Sequence, residues 1–106
     1  MNFNEYQNLT SLTAMYPKEK AIEYLTMGLC SEAGEVADKV KKVLRDGGTI
    51  EEKSGEIIAE VGDVLWYVAQ IGILLGVGLE DIAEKNISKL LSRKSRGVIP
   101  GSGDNR

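Results

Sequence analysis

Apolar residues recur along most of this chain at intervals of three and four, the period of a helix, and no stretch shows the strong alternation of a strand. Gly and Pro divide the pattern into four segments. The first covers about residues 4–15 and stops before Tyr16 and Pro17, since proline disfavours helix in the residue preceding it. The second covers about 18–45 and ends at Asp46, Gly47 and Gly48, where paired glycines suit the left-handed turns that close helices. The third, about 51–75, opens on Glu51 and Glu52, which are favourable beside the positive end of a helix dipole, and closes at Gly76, Val77 and Gly78. The fourth, about 79–93, carries Ile82, Ile87, Leu90 and Leu91, and an irregular tail follows over 97–106. The expected fold is all-α, one domain of four helices, since 106 residues leave little room for a second core.

The phase of the acidic residues is informative. At about 100° per residue, Leu25, Leu29, Val36, Val40 and Val43 share one face of the second helix, and Glu32 falls inside that stripe. Glu35 and Lys39 lie along its edge. A carboxylate in an apolar stripe is costly unless it is neutralised, paired or bound to metal. On the third helix Glu56, Glu60, Asp63 and Tyr67 form an acidic ridge beside Ile57, Val61, Val64 and Val68. If the two helices pack antiparallel, as their short Gly-containing connection suggests, Glu32 and Glu35 converge with Glu60 and Asp63. Oxygen ligands of this kind suit Mg²⁺, with Mn²⁺ as a substitute. The plainer alternative is a solvated face on which these acids pair with Lys39, Lys41 and Lys42.

Composition narrows the chemistry. The chain has no His and one Cys, Cys30, which excludes a disulfide framework, a Cys/His zinc cluster and histidine-based catalysis. Cys30 reads most simply as a small buried residue. Lys and Arg number 13 against 16 Asp and Glu, a net charge of -3, which argues against a nucleic-acid-coating or membrane-surface role. The opening residues show no signal peptide, so a cytoplasmic location is expected. The apolar run from Val64 to Val77 is shorter than the roughly 20 residues that span a bilayer. Its apolar residues point in nearly every direction, more than one partner helix would cover, so a homo-oligomer is expected to complete the bundle.

The segment from Gly28 to Asp38 has Ser31, Glu32, Ala33, Gly34 and Glu35 at its centre, and a 24-residue spacer after Glu35 leads to Glu60, Val61, Gly62 and Asp63. This resembles the MazG-like nucleotide pyrophosphohydrolases, whose pattern is Glu-Glu-x-x-Glu, a spacer, then Glu-x-x-Asp. Asn86, Lys89 and Arg93 look like the family's last helix, and the tail from Arg96 to Arg106 is similar to that of compact single-domain members. Ser31 stands where many members carry the first Glu, which leaves the number of bound ions open.

The resemblance implies a four-helix MazG-like bundle that hydrolyses a nucleoside triphosphate to the monophosphate and pyrophosphate with Mg²⁺, as in nucleotide-pool house-cleaning. It implies dimers, or tetramers made of paired dimers, with active sites near the subunit boundary. Glu32, Glu35, Glu60 and Asp63 are then the metal ligands, and Glu35 is the first candidate to activate water. Lys39, Lys42, Lys89 and Arg93 are candidate phosphate contacts, with Asn86 beside the last two. Arg96 lies next to a tail able to fold over an anion. Tyr67 and Trp66 are able to stack on a base, although Trp66 equally fits a core or interface. Related all-α dUTP or phosphoribosyl-ATP pyrophosphohydrolases, and a non-catalytic nucleotide-binding or interaction module, are the alternatives.

Overall fold

The structure, a computed structural model, describes all 106 residues and contains four α-helices and no strand. Helix α1 spans Phe3–Thr10, α2 Ala21–Asp46, α3 Ile50–Leu74 and α4 Leu79–Arg96, with 3-10 turns at Ser11–Thr13 and Lys18–Lys20. Four helices were expected, and four are found.

The ends differ from expectation for local reasons. The α-helical part of the first element stops at Thr10, where the hydroxyls of Thr10 and Thr13 bond to the carbonyls of Gln7 and Thr10. The fourth helix continues to Arg96, and Gly97, at φ 70°, closes it with its N–H on the carbonyls of Arg93 and Lys94. Between α2 and α3, Gly47 and Gly48 both adopt positive φ. The Thr49 hydroxyl then accepts the Glu52 N–H at 3.2 Å, so a three-residue connection reverses the chain.

Helices α2 and α3 therefore pack as an antiparallel hairpin, and α1 lies along the second half of α3. Helix α4 turns back to meet both α1 and α3. The joint among these three elements is polar. Gln7 donates to the carbonyls of Ala69 and Val77 and accepts the Leu79 N–H at 2.9 Å, supplying a cap that Gly78 lacks. Asn4 accepts the Glu80 N–H beside it. Gln70 is 1 % exposed; it accepts the Tyr16 hydroxyl at 2.7 Å and donates to Thr10 and Ser11. Gln70 thus pins the end of α1 and the chain that follows it to the C-terminal part of α3.

The apolar core of one chain is small. Leu25, Ala69, Ala21, Val43 and Leu79 are buried, while Val40, Ile58, Val61, Ile73, Leu75 and Leu91 are exposed. Cys30, expected to be buried, is on the surface. The radius of gyration is 16.6 Å, against about 13 Å for a compact domain of this length. Helix α3 is long and apolar enough to cross a membrane by length and composition, which a core or interface helix also satisfies. Its first half carries Glu51, Glu52, Lys53, Glu56, Glu60 and Asp63, which a bilayer would not accept.

Replacing Gln70 by Met keeps most of the volume and strands the Tyr16 and Thr10 hydroxyls. It is expected to cost about 1–3 kcal/mol in a urea titration; an unchanged midpoint would show that the polar joint does not hold α1.

Candidate metal centre

The register of the α2–α3 hairpin can be followed through its side chains. Gly28 meets Tyr67, Glu32 meets Glu60 and Asp63, and Lys39 meets Glu56, so numbers climb on one helix as they fall on the other. Gly28 is required where the Tyr67 ring crosses α2, because a Cβ there would overlap the ring. That close approach lets the helices draw together one turn away, at Glu32.

Glu32, Glu60 and Asp63 each present a carboxylate oxygen within 4.8 Å of the others. Glu32 and Glu60 are half-buried and Asp63 is exposed. None of the three joins an ion pair, since the salt bridges of the chain all lie elsewhere. Desolvation raises the Glu32 pKa above the usual carboxylate range, and the neighbouring charges of Asp63, Glu60 and Glu35 push it the same way. The arrangement holds negative charge together with no internal cation to offset it.

A hard divalent cation fits this set. An octahedral Mg²⁺ with oxygens at about 2.0–2.1 Å places neighbouring ligands about 3 Å apart and opposite ones about 4 Å apart, so a small closure of the cluster suffices. Glu32, Glu60 and Asp63 would hold it. Glu35, expected as a fourth ligand, is exposed on the next turn of α2 and lies outside the three-carboxylate group, close enough for its charge to act on Glu32. Ser31 is exposed beside it.

Aromatic side chains flank the carboxylates. A depression of about 390 Å³ is lined by Thr13, Tyr24, Glu32, Asp63, Trp66 and Tyr67. Tyr16 stacks on Tyr24 with ring centres 5.3 Å apart, and Tyr67 meets Trp66 edge to face at 5.0 Å. The indole N–H of Trp66 donates to the Thr13 hydroxyl at 2.9 Å. Burial raises the Tyr67 pKa, with contributions from Tyr24, Glu32 and Asp63, so its phenol stays protonated at neutral pH. Burial, then Asp63, raises that of Tyr6 on α1. Tyr24 was absent from the sequence expectations, although it precedes Gly28 and Glu32 at four-residue intervals on one helix face.

The expected basic contacts lie apart from this pocket within one chain. Lys42 pairs with Asp38 at 2.7 Å, and Lys39 approaches Glu56 at 4.0 Å. Both line a separate polar depression at the hairpin tip, with Asp46 and Lys53. Asn86 and Lys89 line a third, on α4. Arg93 is buried and bonds to Asp104, while the Arg96 guanidinium donates to Ser92 and to the Arg106 carbonyl.

The chain is an all-α protein whose central hairpin crowds three uncompensated carboxylates beside an aromatic pocket, a donor set that could hold a divalent cation. The sequence profile of the MazG nucleotide pyrophosphohydrolase domain matches residues 20–98, and the chain is a member of that family. It is also similar to the Gene 37 protein of Mycobacterium phage L5, at 49 % identity over 114 aligned residues covering the whole of both chains. That name states no activity. No solved structure matches the chain.

Because the Glu32 pKa is raised on folding, its contribution to stability is fully present below the ordinary carboxylate range and is lost as pH rises through the raised value. At neutral pH without divalent metal, Glu32→Gln should therefore raise the melting temperature. The same variant should lose most of the stabilisation that millimolar Mg²⁺ gives the parent. A lower melting point without metal, or an undiminished Mg²⁺ response, would contradict this assignment.

Proposed function

We propose that this nucleotide pyrophosphohydrolase family member is a Mg²⁺-dependent enzyme that converts a nucleoside or deoxynucleoside triphosphate to its monophosphate and pyrophosphate. The observation that carries the reading is the uncompensated trio Glu32, Glu60 and Asp63. Bound there, the ion would neutralise phosphate oxygens and lower the pKa of an attacking water.

The chain's own residues supply the rest. Glu35, solvent-facing one turn from Glu32, accepts the proton as water oxygen attacks the α-phosphorus. The bond from that phosphorus to the bridging oxygen breaks, and pyrophosphate leaves. No histidine or covalent nucleophile is required. Tyr67, beside Tyr24 and Trp66, offers a ring face for the base next to the carboxylates. Lys39, Lys42, Asn86, Lys89, Arg93 and Arg96 are assigned to the phosphates.

Those basic groups sit in other depressions of the same chain, and apolar residues such as Ile58, Val61 and Leu91 are exposed. We therefore place the active enzyme in a homodimer or a tetramer of paired dimers, with the site near the subunit boundary. Its setting is the cytoplasm, where it would act on the nucleotide pool without nucleic acid or membrane.

A panel of canonical and modified NTPs and dNTPs with Mg²⁺, scored for monophosphate and pyrophosphate, tests this. Turnover is expected for at least one substrate. Glu60→Gln and Asp63→Asn should each lower kcat/KM by about 10²-fold or more, and Glu35→Gln should lower kcat while leaving Mg²⁺ affinity intact. Light scattering of the same sample at micromolar concentration should give a dimer or larger. No turnover of any member of the panel, with the variants indistinguishable from the parent, would sink the catalytic reading, and a monomer would sink the assembly.

A further inference from the structure

The segment that follows α4 folds back onto the helix it leaves. After Gly97 turns the chain, the Arg106 guanidinium donates to the carbonyls of Val98, Ile99 and Gly103 and closes the segment into a loop. Arg96 holds the Arg106 carbonyl at 2.8 Å. The loop sets Asp104 over two cations of α4. Its carboxylate oxygen Oδ1 lies 2.8 Å from Lys89 Nζ and 3.2 Å from Arg93 Nη2, and its backbone carbonyl accepts a further bond from Arg93.

The two sides of this contact are unequally built. Arg93 is 5 % exposed, and its Nε is buried with no hydrogen-bond partner. A buried guanidinium with an empty donor is suited to an anion that presents two oxygens side by side, and a single carboxylate oxygen does not satisfy it. Lys89, with Lys85 and Asn86, also lines a depression of about 440 Å³ that Asp104 edges. By contrast, the Asp104 side chain is 77 % exposed and sits on a loop. The Lys89 ammonium, then Arg93, hold its carboxyl below the usual range, so it is ionised at neutral pH.

We propose that Asp104 is a tethered competitor for the anion site of Lys89 and Arg93, a latch that a phosphoryl group must displace in order to bind. This rests on the reading of Lys89 and Arg93 as phosphate contacts. A phosphoryl group carries more charge than a carboxylate and has an oxygen to spare for the empty Arg93 donor. Displacement is feasible because the Lys89–Asp104 pair is exposed, and such a pair is weak and readily screened. While the latch is closed, apparent affinity is reduced by the fraction of chains that are open. For the exposed Lys89–Asp104 pair that factor is about fivefold.

The test uses the full chain and inorganic pyrophosphate at low salt with a chelator present, so that the carboxylate trio takes no part. Calorimetry should show Asp104→Asn binding pyrophosphate about fivefold more tightly than the parent, the gap narrowing as salt is added. Lys89→Gln should bind more weakly than the parent. In the parent, pyrophosphate should shift the amide resonances of residues 98–106 as the loop lets go. If Asp104→Asn binds no more tightly while Lys89→Gln still weakens binding, the anion site stands and the latch is overturned. If Lys89→Gln leaves affinity unchanged, the phosphate reading of this pair and the latch fall together.

Discussion

The structure depends on one electrostatic constraint: antiparallel packing of α2 on α3 forces three carboxylates together where no lysine or arginine reaches them. Like charges at this separation repel, and partial burial of Glu32 and Glu60 weakens the solvent screening that would make the repulsion tolerable. A divalent cation bound there would convert that cost into binding energy. The local details follow from the need to hold the cluster closed. Thr49 caps α3 after a glycine pair that reverses the chain, and Gly28 lets the Tyr67 ring lie against the opposite helix.

The second half of the molecule meets a different constraint. Helix α1 is short, and α4 starts without a capping side chain of its own, so neither gains much from local propensity. Gln7 and Gln70 fix both by hydrogen bonds that become stronger because they are buried. The joint sets where α4 leaves α3 and therefore where Lys89 and Arg93 stand. The lysines and arginines pair with other acids, Lys42 with Asp38 and Lys89 with Asp104 among them, and none of the ion pairs takes in Glu32, Glu60 or Asp63.

Much of this was legible in the residues. Glycine and proline marked the number of helices, and the helical period placed Glu32 on the packed face and paired Glu60 with Asp63. It did not separate Glu32 from Glu35, because two residues three apart differ by about 60° around a helix, enough for one to face α3 and the other to face water. The role of Gln70 was not legible for a related reason: a polar residue in an apolar run declares its role only when its partners, 54 to 60 positions away, are known. Asp104 lies in a segment without periodicity, where pattern carries no information. The apolar surplus of α3 was visible in composition, and one chain leaves much of it uncovered.

The central claim is that the hairpin exists to hold a divalent cation. Crystals soaked in Mn²⁺ and measured at a wavelength where manganese scatters anomalously test it most directly. The account predicts a peak bonded to carboxylate oxygens of Glu32, Glu60 and Asp63 at about 2.0–2.3 Å. Mn²⁺ on Asp38 or Asp46 at the hairpin tip, with the trio empty, would contradict it.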